Sequence, residues 1–136
     1  MANVPLISVV DDDESVRESL DGLIRSVGLA VKVFASAEEF LNSDHLCDTD
    51  CLLLDVRMPG MNGIDLHRHL VASHCEIPVI FITAHGSEEG VRSQAFRNGA
   101  VDYLIKPLNE DTVLNAVQAA LNSKQLNRDN RNPNNG

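Results

Sequence analysis

Short apolar runs, each ending in a polar residue, recur along this sequence and constrain its fold more than any other feature. Leu6-Ile7-Ser8-Val9-Val10 ends at Asp11-Asp12-Asp13, and Cys51-Leu52-Leu53-Leu54 ends at Asp55. A run from Pro78 ends in the hydroxyl of Thr83, and Val101–Ile105 is followed by Lys106. Runs this short, rich in Val and Ile and bounded by turn formers, predict buried strands. In an open parallel sheet the C-terminal ends of the strands lie along one edge, where ligands bind. Carboxylates gathered there repel one another unless a cation or protons intervene. The pattern therefore predicts a divalent-metal site with a hydroxyl and an ammonium beside it, suited to phosphate.

Helical spacing fills the intervals. Val16, Leu20, Leu23, Ile24 and Val27 form one stripe, with Asp13 as its cap and Gly28 as its stop. Ala30–Phe34 reads as a second strand, and Ser36-Ala37-Glu38-Glu39 matches a capping box opening a short helix with Phe40 and Leu41. Cys51–Leu54 is apolar throughout and expected to be central. The Pro- and Gly-rich stretch Arg57–Gly63 predicts a tight loop, followed by a helix carrying Ile64, Leu66 and Leu70 and ending near His74. Ser87-Glu88-Glu89 opens a further helix with Val91, Ala95 and Phe96 inward, stopped by Asn98-Gly99. Val101–Ile105 is more amphipathic, as for an edge strand. Asn109 caps the last helix, whose stripe is Val113, Ala116, Val117, Ala120 and Leu121. Alternating strands and helices imply an α/β fold, a doubly wound parallel sheet covered on both faces. Residues 1–122 form the expected domain; residues 123–136 read as an Asn-rich flexible tail or the start of an interdomain linker.

With 136 residues the chain suits one domain with a sizeable core. Its net charge of -9 disfavours direct nucleic-acid contact by this domain. No apolar run is long enough to span a bilayer, and Met1–Pro5 lack the features of a secretion signal, so no membrane contact and a cytoplasmic location are expected. Cys47, Cys51 and Cys75 are odd in number and form no C-x-x-C, which favours small buried or half-buried thiols over a disulfide framework. A zinc site built from them with His67, His69 and His74 is the weaker alternative. His67 and His69 do not share a helical face, and all three histidines are expected on helix surfaces.

Four motifs in order, Val10-Asp11-Asp12-Asp13, Leu54 through Gly63, Ile82-Thr83-Ala84 and Tyr103-Leu104-Ile105-Lys106-Pro107, resemble the receiver domain of bacterial two-component response regulators, the CheY-like family. The run Asp55-Val56-Arg57-Met58-Pro59-Gly60-Met61-Asn62-Gly63 and the phrase Thr83-Ala84-His85-Gly86 resemble its FixJ-like transcriptional branch. The resemblance spans roughly Leu6 to Leu121. It implies a flavodoxin-like, CheY-like (βα)5 fold with five parallel strands in the order 2-1-3-4-5. It also implies a phosphoacceptor at Asp55, taking a phosphoryl group from a sensor histidine kinase. Mg2+ would be held by Asp11, Asp12, Asp55 and the backbone carbonyl of Arg57, with Mn2+ able to substitute. Thr83, Lys106, Tyr103 and the backbone of Ala84 would bind the phosphoryl group or switch with it, and the bond before Pro107 would be cis. Arg57 and His85 would tune phosphoryl lifetime. The resemblance further implies a phosphorylation switch in place of enzymatic turnover, limited to Mg2+-dependent self-phosphorylation and self-dephosphorylation. A homodimer could form through the fourth helix, fifth strand and fifth helix.

Output would be transcription through a DNA-binding domain absent from this chain, or alternatively protein contacts made by a stand-alone receiver. Two other readings fit less well. A haloacid-dehalogenase-like phosphatase wants a second Asp where Arg57 stands. An FMN binder wants a phosphate loop where Asp11-Asp12-Asp13 would repel an anion.

Overall fold

The computed structural model describes residues 4–44, 46, 48–84, 93, 95–97 and 99–130, with only the backbone path given for 124–130. Five strands, β1 (Leu6–Val10), β2 (Ala30–Phe34), β3 (Cys51–Asp55), β4 (Val79–Thr83) and β5 (Asp102–Ile105), form one parallel sheet in the order β2-β1-β3-β4-β5. The helices with full bounds are α1 (Glu14–Ser26), α2 (Ala37–Leu41), α3 (Gly63–Ala72) and α4 (Glu110–Asn130). The doubly wound sheet and its strand order are as the sequence and its resemblance imply.

Alternation along each strand divides the core in two. Val10, Phe34, Leu52, Leu54, Val79, Phe81 and Tyr103 face the side covered by α2 and α3, meeting Phe40, Ile64, Leu66 and Leu70. Ile7, Val9, Val31, Cys51, Leu53, Ile80, Ile82 and Leu104 face α1 and α4, meeting Leu20, Ile24, Val113, Val117 and Ala120. Every residue of β3 and β4 is buried, because helices cover both faces of the inner strands. The one polar residue within β1, Ser8, is satisfied by a buried hydroxyl pair with Thr49 at 2.7 Å.

The helix starts follow local chemistry. Asp13, Ser36, Asn62 and Asn109 each accept a backbone N–H from the first turn of the following helix. Gly28 follows α1 at φ +87, a conformation open to glycine at little cost.

Three expectations are corrected. His67 is not on a surface: it lies 4% exposed within the stripe Gly63, Ile64, Leu66, His67 and Leu70, while His69 and His74 are exposed. It recurs with Gly63 and Leu70 at helical spacing, so its ring is carried into the core and stands edge-on to Phe81 at 5.3 Å. Phe96 is 40% exposed while Ala95 is fully buried. Consecutive helical residues point about 100° apart, so one narrow buried face takes only one of them. The last helix, expected to end with its apolar stripe at Leu121, continues to Asn130. Lys124, Gln125, Leu126 and Arg128 are good helix formers, and no Gly or Pro interrupts the chain before Pro133.

Of the helix expected from Ser87, residues 93 and 95–97 are helical, and Val91 lies outside the described residues. Cys51 is buried and Cys75 half-buried, as expected of small thiols, and Cys47 is outside the described residues.

Candidate functional site

The edge formed by the C-terminal ends of β1, β3, β4 and β5 gathers Asp11, Asp12, Asp55, Thr83 and Lys106. Backbone bonds that continue the ladders past the strand ends hold these carriers in place. Asp11 N–H donates to Phe34 O (3.1 Å), Val56 N–H to Ile82 O (3.0 Å) and Lys106 N–H to Thr83 O (2.7 Å).

Carboxylate oxygens of Asp11, Asp12 and Asp55 all lie within 4.8 Å of one another, the one such cluster of potential metal ligands among the described residues. Asp11 is fully buried and Asp55 is 4% exposed, whereas Asp12 faces solvent. Lys106 Nζ stands 3.1 Å from Asp11 Oδ2 and 3.7 Å from Asp55 Oδ2. When all three acids are ionised, three negative charges therefore face one ammonium. Opposite oxygens of an octahedral Mg2+ shell are about 4.2 Å apart, so this all-oxygen, net-negative cluster fits a hard divalent cation.

Electrostatics express the crowding. Burial pushes the Asp55 carboxyl up to about 7, the Asp11 charge adds to the rise, and Lys106 opposes it. Burial pulls the Lys106 ammonium down, but its hydrogen bond and attraction to Asp11, with attraction to Asp55, outweigh burial and leave it above its ordinary value. Asp13 is held below the usual carboxylate range by the Ser15 hydroxyl and N–H, so it serves α1 as its cap.

The remaining residues of interest fall as follows. Thr83 is fully buried at the end of β4, and Ala84 follows it at the surface. The Lys106–Pro107 peptide bond is cis. Tyr103, on edge strand β5, is only 6% exposed and packs against Phe81 with ring centroids 6.4 Å apart. Arg57 opens the β3–α3 loop, its N–H donating to Asp55 Oδ1 at 3.3 Å, beside an open hollow of about 520 Å3 lined by Val56, Met58, Pro59, Gly60, Asn62 and Ile64. His85 lies outside the described residues.

Two residues that the sequence reading passes over hold the loops of this site. Arg17 Nη1 donates to the Asp11 carbonyl at 2.7 Å, and Asp13 N–H donates to Asp11 Oδ1 at 2.9 Å, so the turn after β1 is tied to α1. Glu38 Oε2 accepts from Met61 N–H at 3.1 Å, tying the β3–α3 loop to α2. Arg17 gives a weak local signal, since it follows the acidic run within two helical turns. Glu38 gives none, because its partner is 23 positions away.

A family model described as the response regulator receiver domain matches residues 7–118. The response regulator protein TodT of Pseudomonas putida is 45% identical over 116 residues, covering 85% of this chain and 51% of that protein. Among solved structures, response regulator StyR superposes with a TM-score of 0.86 at 41% identity, covering 98% of this chain and 67% of that one. The structure titled FixJ-N has a TM-score of 0.77 at 36% identity, covering 89% of this chain and 96% of that one. The chain spans about half the length of the curated relatives it matches. Its sheet order, its acidic cluster and these matches agree, and the chain belongs to the response regulator receiver domain family of two-component systems.

Proposed function

We propose that Asp55 is the phosphoacceptor of a Mg2+-dependent switch. The observation that carries this reading is the convergence of the Asp11, Asp12 and Asp55 carboxylates within 4.8 Å, with Lys106 Nζ 3.7 Å from Asp55 Oδ2. An oxygen of the ionised Asp55 carboxylate attacks the phosphorus of a phosphohistidine. The P–N bond breaks as the P–O bond forms, and the departing imidazole keeps the electron pair and takes a proton. Lys106 places its ammonium against the phosphoryl oxygens, a task suited to a compact point charge. Asp11, Asp12, Asp55 and the Arg57 carbonyl are the groups that would hold Mg2+, whose chemistry there is to neutralise and orient the incoming phosphoryl group.

Once esterified, Asp55 presents oxygens to the Thr83 hydroxyl and the Ala84 N–H, and Tyr103 follows Thr83 as the aromatic member of the switch. Arg57 and His85, each two residues after a reacting position, govern water access to the acyl phosphate. Alanine at either should change the phosphoryl half-life. A groove of about 360 Å3 between α1 and the start of α4, with Val16, Leu20, Leu23 and Val113 in its walls, reaches Lys106. We assign this groove to the phosphodonor, a sensor histidine kinase.

Residues 1–122 act as the receiver unit, and 123–136 lead toward an output region. Relatives named transcriptional regulatory proteins, such as FixJ of Azorhizobium caulinodans at 41% identity, support transcription as that output. The face of the fifth strand and its flanking helices supplies a homodimer contact on phosphorylation. None of the described helices is long and apolar enough to cross a membrane, and a cytoplasmic setting accords with a kinase donor.

Incubation with acetyl phosphate and Mg2+ followed by intact-mass measurement tests the core of this reading. A phosphoryl adduct that is lost in Asp55→Asn and on chelation is expected. An equal adduct on the variant would place the acceptor elsewhere.

A further inference from the structure

We propose that Glu38 is a positioning residue for the divalent-cation site, acting through the loop between β3 and α3; this deepens the reading of Asp55 given above and rests on it. That loop begins at Arg57, whose carbonyl the reading above gives to the cation. Its two ends are tied locally: Arg57 N–H donates to Asp55 Oδ1 at 3.3 Å, and Gly63 N–H donates to Val56 O at 2.9 Å. Between them the backbone is irregular and passes through Gly60, the residue type with most conformational freedom to lose. At this tip Glu38 reaches across from α2, its Oε2 accepting from Met61 N–H at 3.1 Å.

A second observation makes the approach specific. Gly60 has φ +79, and a Cβ there would lie 2.9 Å from the same Glu38 oxygen. The backbone conformation calls for glycine, and the short approach shows how closely the Glu38 carboxylate lies over the Gly60 backbone. The anchor on the other side is firm. Ala37 and Phe40 are fully buried, and the Phe40 ring stands edge-on to Phe34 at 5.2 Å. Glu38 is therefore presented by a seated helical turn, and a charged acceptor makes the stronger kind of hydrogen bond to an amide.

A neutral carbonyl ligand contributes to cation binding only insofar as it is already in place, since ordering it at the moment of binding costs affinity. Glu38 also adds negative charge near the site, which would attract a cation whatever the loop did. Glu39 separates the two effects: it is exposed in the same turn and carries the same charge, but its side chain is not the one that holds the Met61 amide.

Nuclear magnetic resonance on the metal-free chain, followed by titration with Mg2+, tests the proposal in wild type, Glu38→Ala, Glu38→Gln and Glu39→Ala. In Glu38→Ala, Met61 amide exchange should quicken and Mg2+ affinity should fall about three- to ten-fold, at or below the low end of the range for groups that support metal ligands. Glu38→Gln keeps an acceptor oxygen but makes the weaker neutral bond, so it should fall between wild type and Glu38→Ala in both, while Glu39→Ala should stay near wild type. Unchanged Met61 exchange in Glu38→Ala would overturn the tether. Equal loss of affinity in Glu38→Ala and Glu38→Gln, or in Glu38→Ala and Glu39→Ala, would make the effect one of field and overturn the positioning role. A wild type that binds no Mg2+ would remove the metal-site reading and this proposal together. A wild type that binds Mg2+ no better than Glu38→Ala would remove this proposal alone.

Discussion

Replacing Asp55 by Asn should make the metal-free protein more stable at neutral and alkaline pH. Burial, reinforced by the Asp11 charge and opposed by Lys106, raises the Asp55 pKa from 3.8 to about 7. Below the lower value both the folded and the unfolded chain hold the proton, and no cost arises. Between the two values the unfolded chain releases its proton while the folded chain keeps it, so stability falls as pH rises. Above about pH 7 the loss is complete. At about 1.4 kcal/mol per unit, that interval sets a ceiling of about 4 kcal/mol. Solvent reaching the cluster past the exposed Asp12 lowers it to about 2–3 kcal/mol.

Asparagine is neutral throughout and removes one of the anions facing Asp11, so it escapes this penalty. Urea unfolding followed by far-ultraviolet circular dichroism, in chelator at about pH 5 and pH 8, measures the difference. With a slope of about 1–3 kcal/mol per molar urea, the Asp55→Asn midpoint should exceed wild type by about 1 M at pH 8 and by clearly less at pH 5. Mg2+ at about a hundred times its dissociation constant adds about 2.7 kcal/mol to wild type and should close the gap. A variant no more stable than wild type at pH 8 in chelator, or a gap that does not change with pH, would refute the reasoning.

Lys106→Met should destabilise the metal-free protein at pH 8, by about 2–4 kcal/mol, because it strips the ammonium from the fully buried Asp11 carboxylate; Mg2+ should restore most of the loss in the same urea assay. Burial holds the His67 pKa below its ordinary 6.5. As pH falls past that value the unfolded chain takes up the proton first, so His67 lowers stability on acidification. The stability of His67→Leu relative to wild type should therefore rise between about pH 7 and pH 5 in thermal unfolding. A Cβ at Gly63 would collide with the Asp55 carbonyl oxygen. Gly63→Ala should cost about 1–3 kcal/mol in the urea assay and weaken Mg2+ binding as well, because the strain falls on the residue proposed to carry the phosphoryl group.

Strand and helix identities were readable because they rest on local patterns. Buried strands appear as short apolar runs, helix starts as Asp13, Ser36 and Asn109, and the stop of α1 as Gly28. The polar residues at strand ends were readable for the same reason, since a parallel sheet places all such ends on one edge whatever the details of packing. At the chain end composition and propensity disagreed, which left tail and linker both open: the stretch is Asn-rich, yet α4 runs to Asn130.

The sequence by itself thus determined the alternating architecture and the set of acids, hydroxyl and ammonium available at one edge. Tertiary structure alone decided how these groups stand toward each other: Lys106 against Asp11 at 3.1 Å, Asp55 pushed up to about 7, His67 turned into the core, and Glu38 bound to Met61. The division has a physical cause. Periodicity and capping depend on neighbours a few positions apart, whereas burial, charge crowding and cross-loop hydrogen bonds arise between residues far apart in the chain and brought together only by packing.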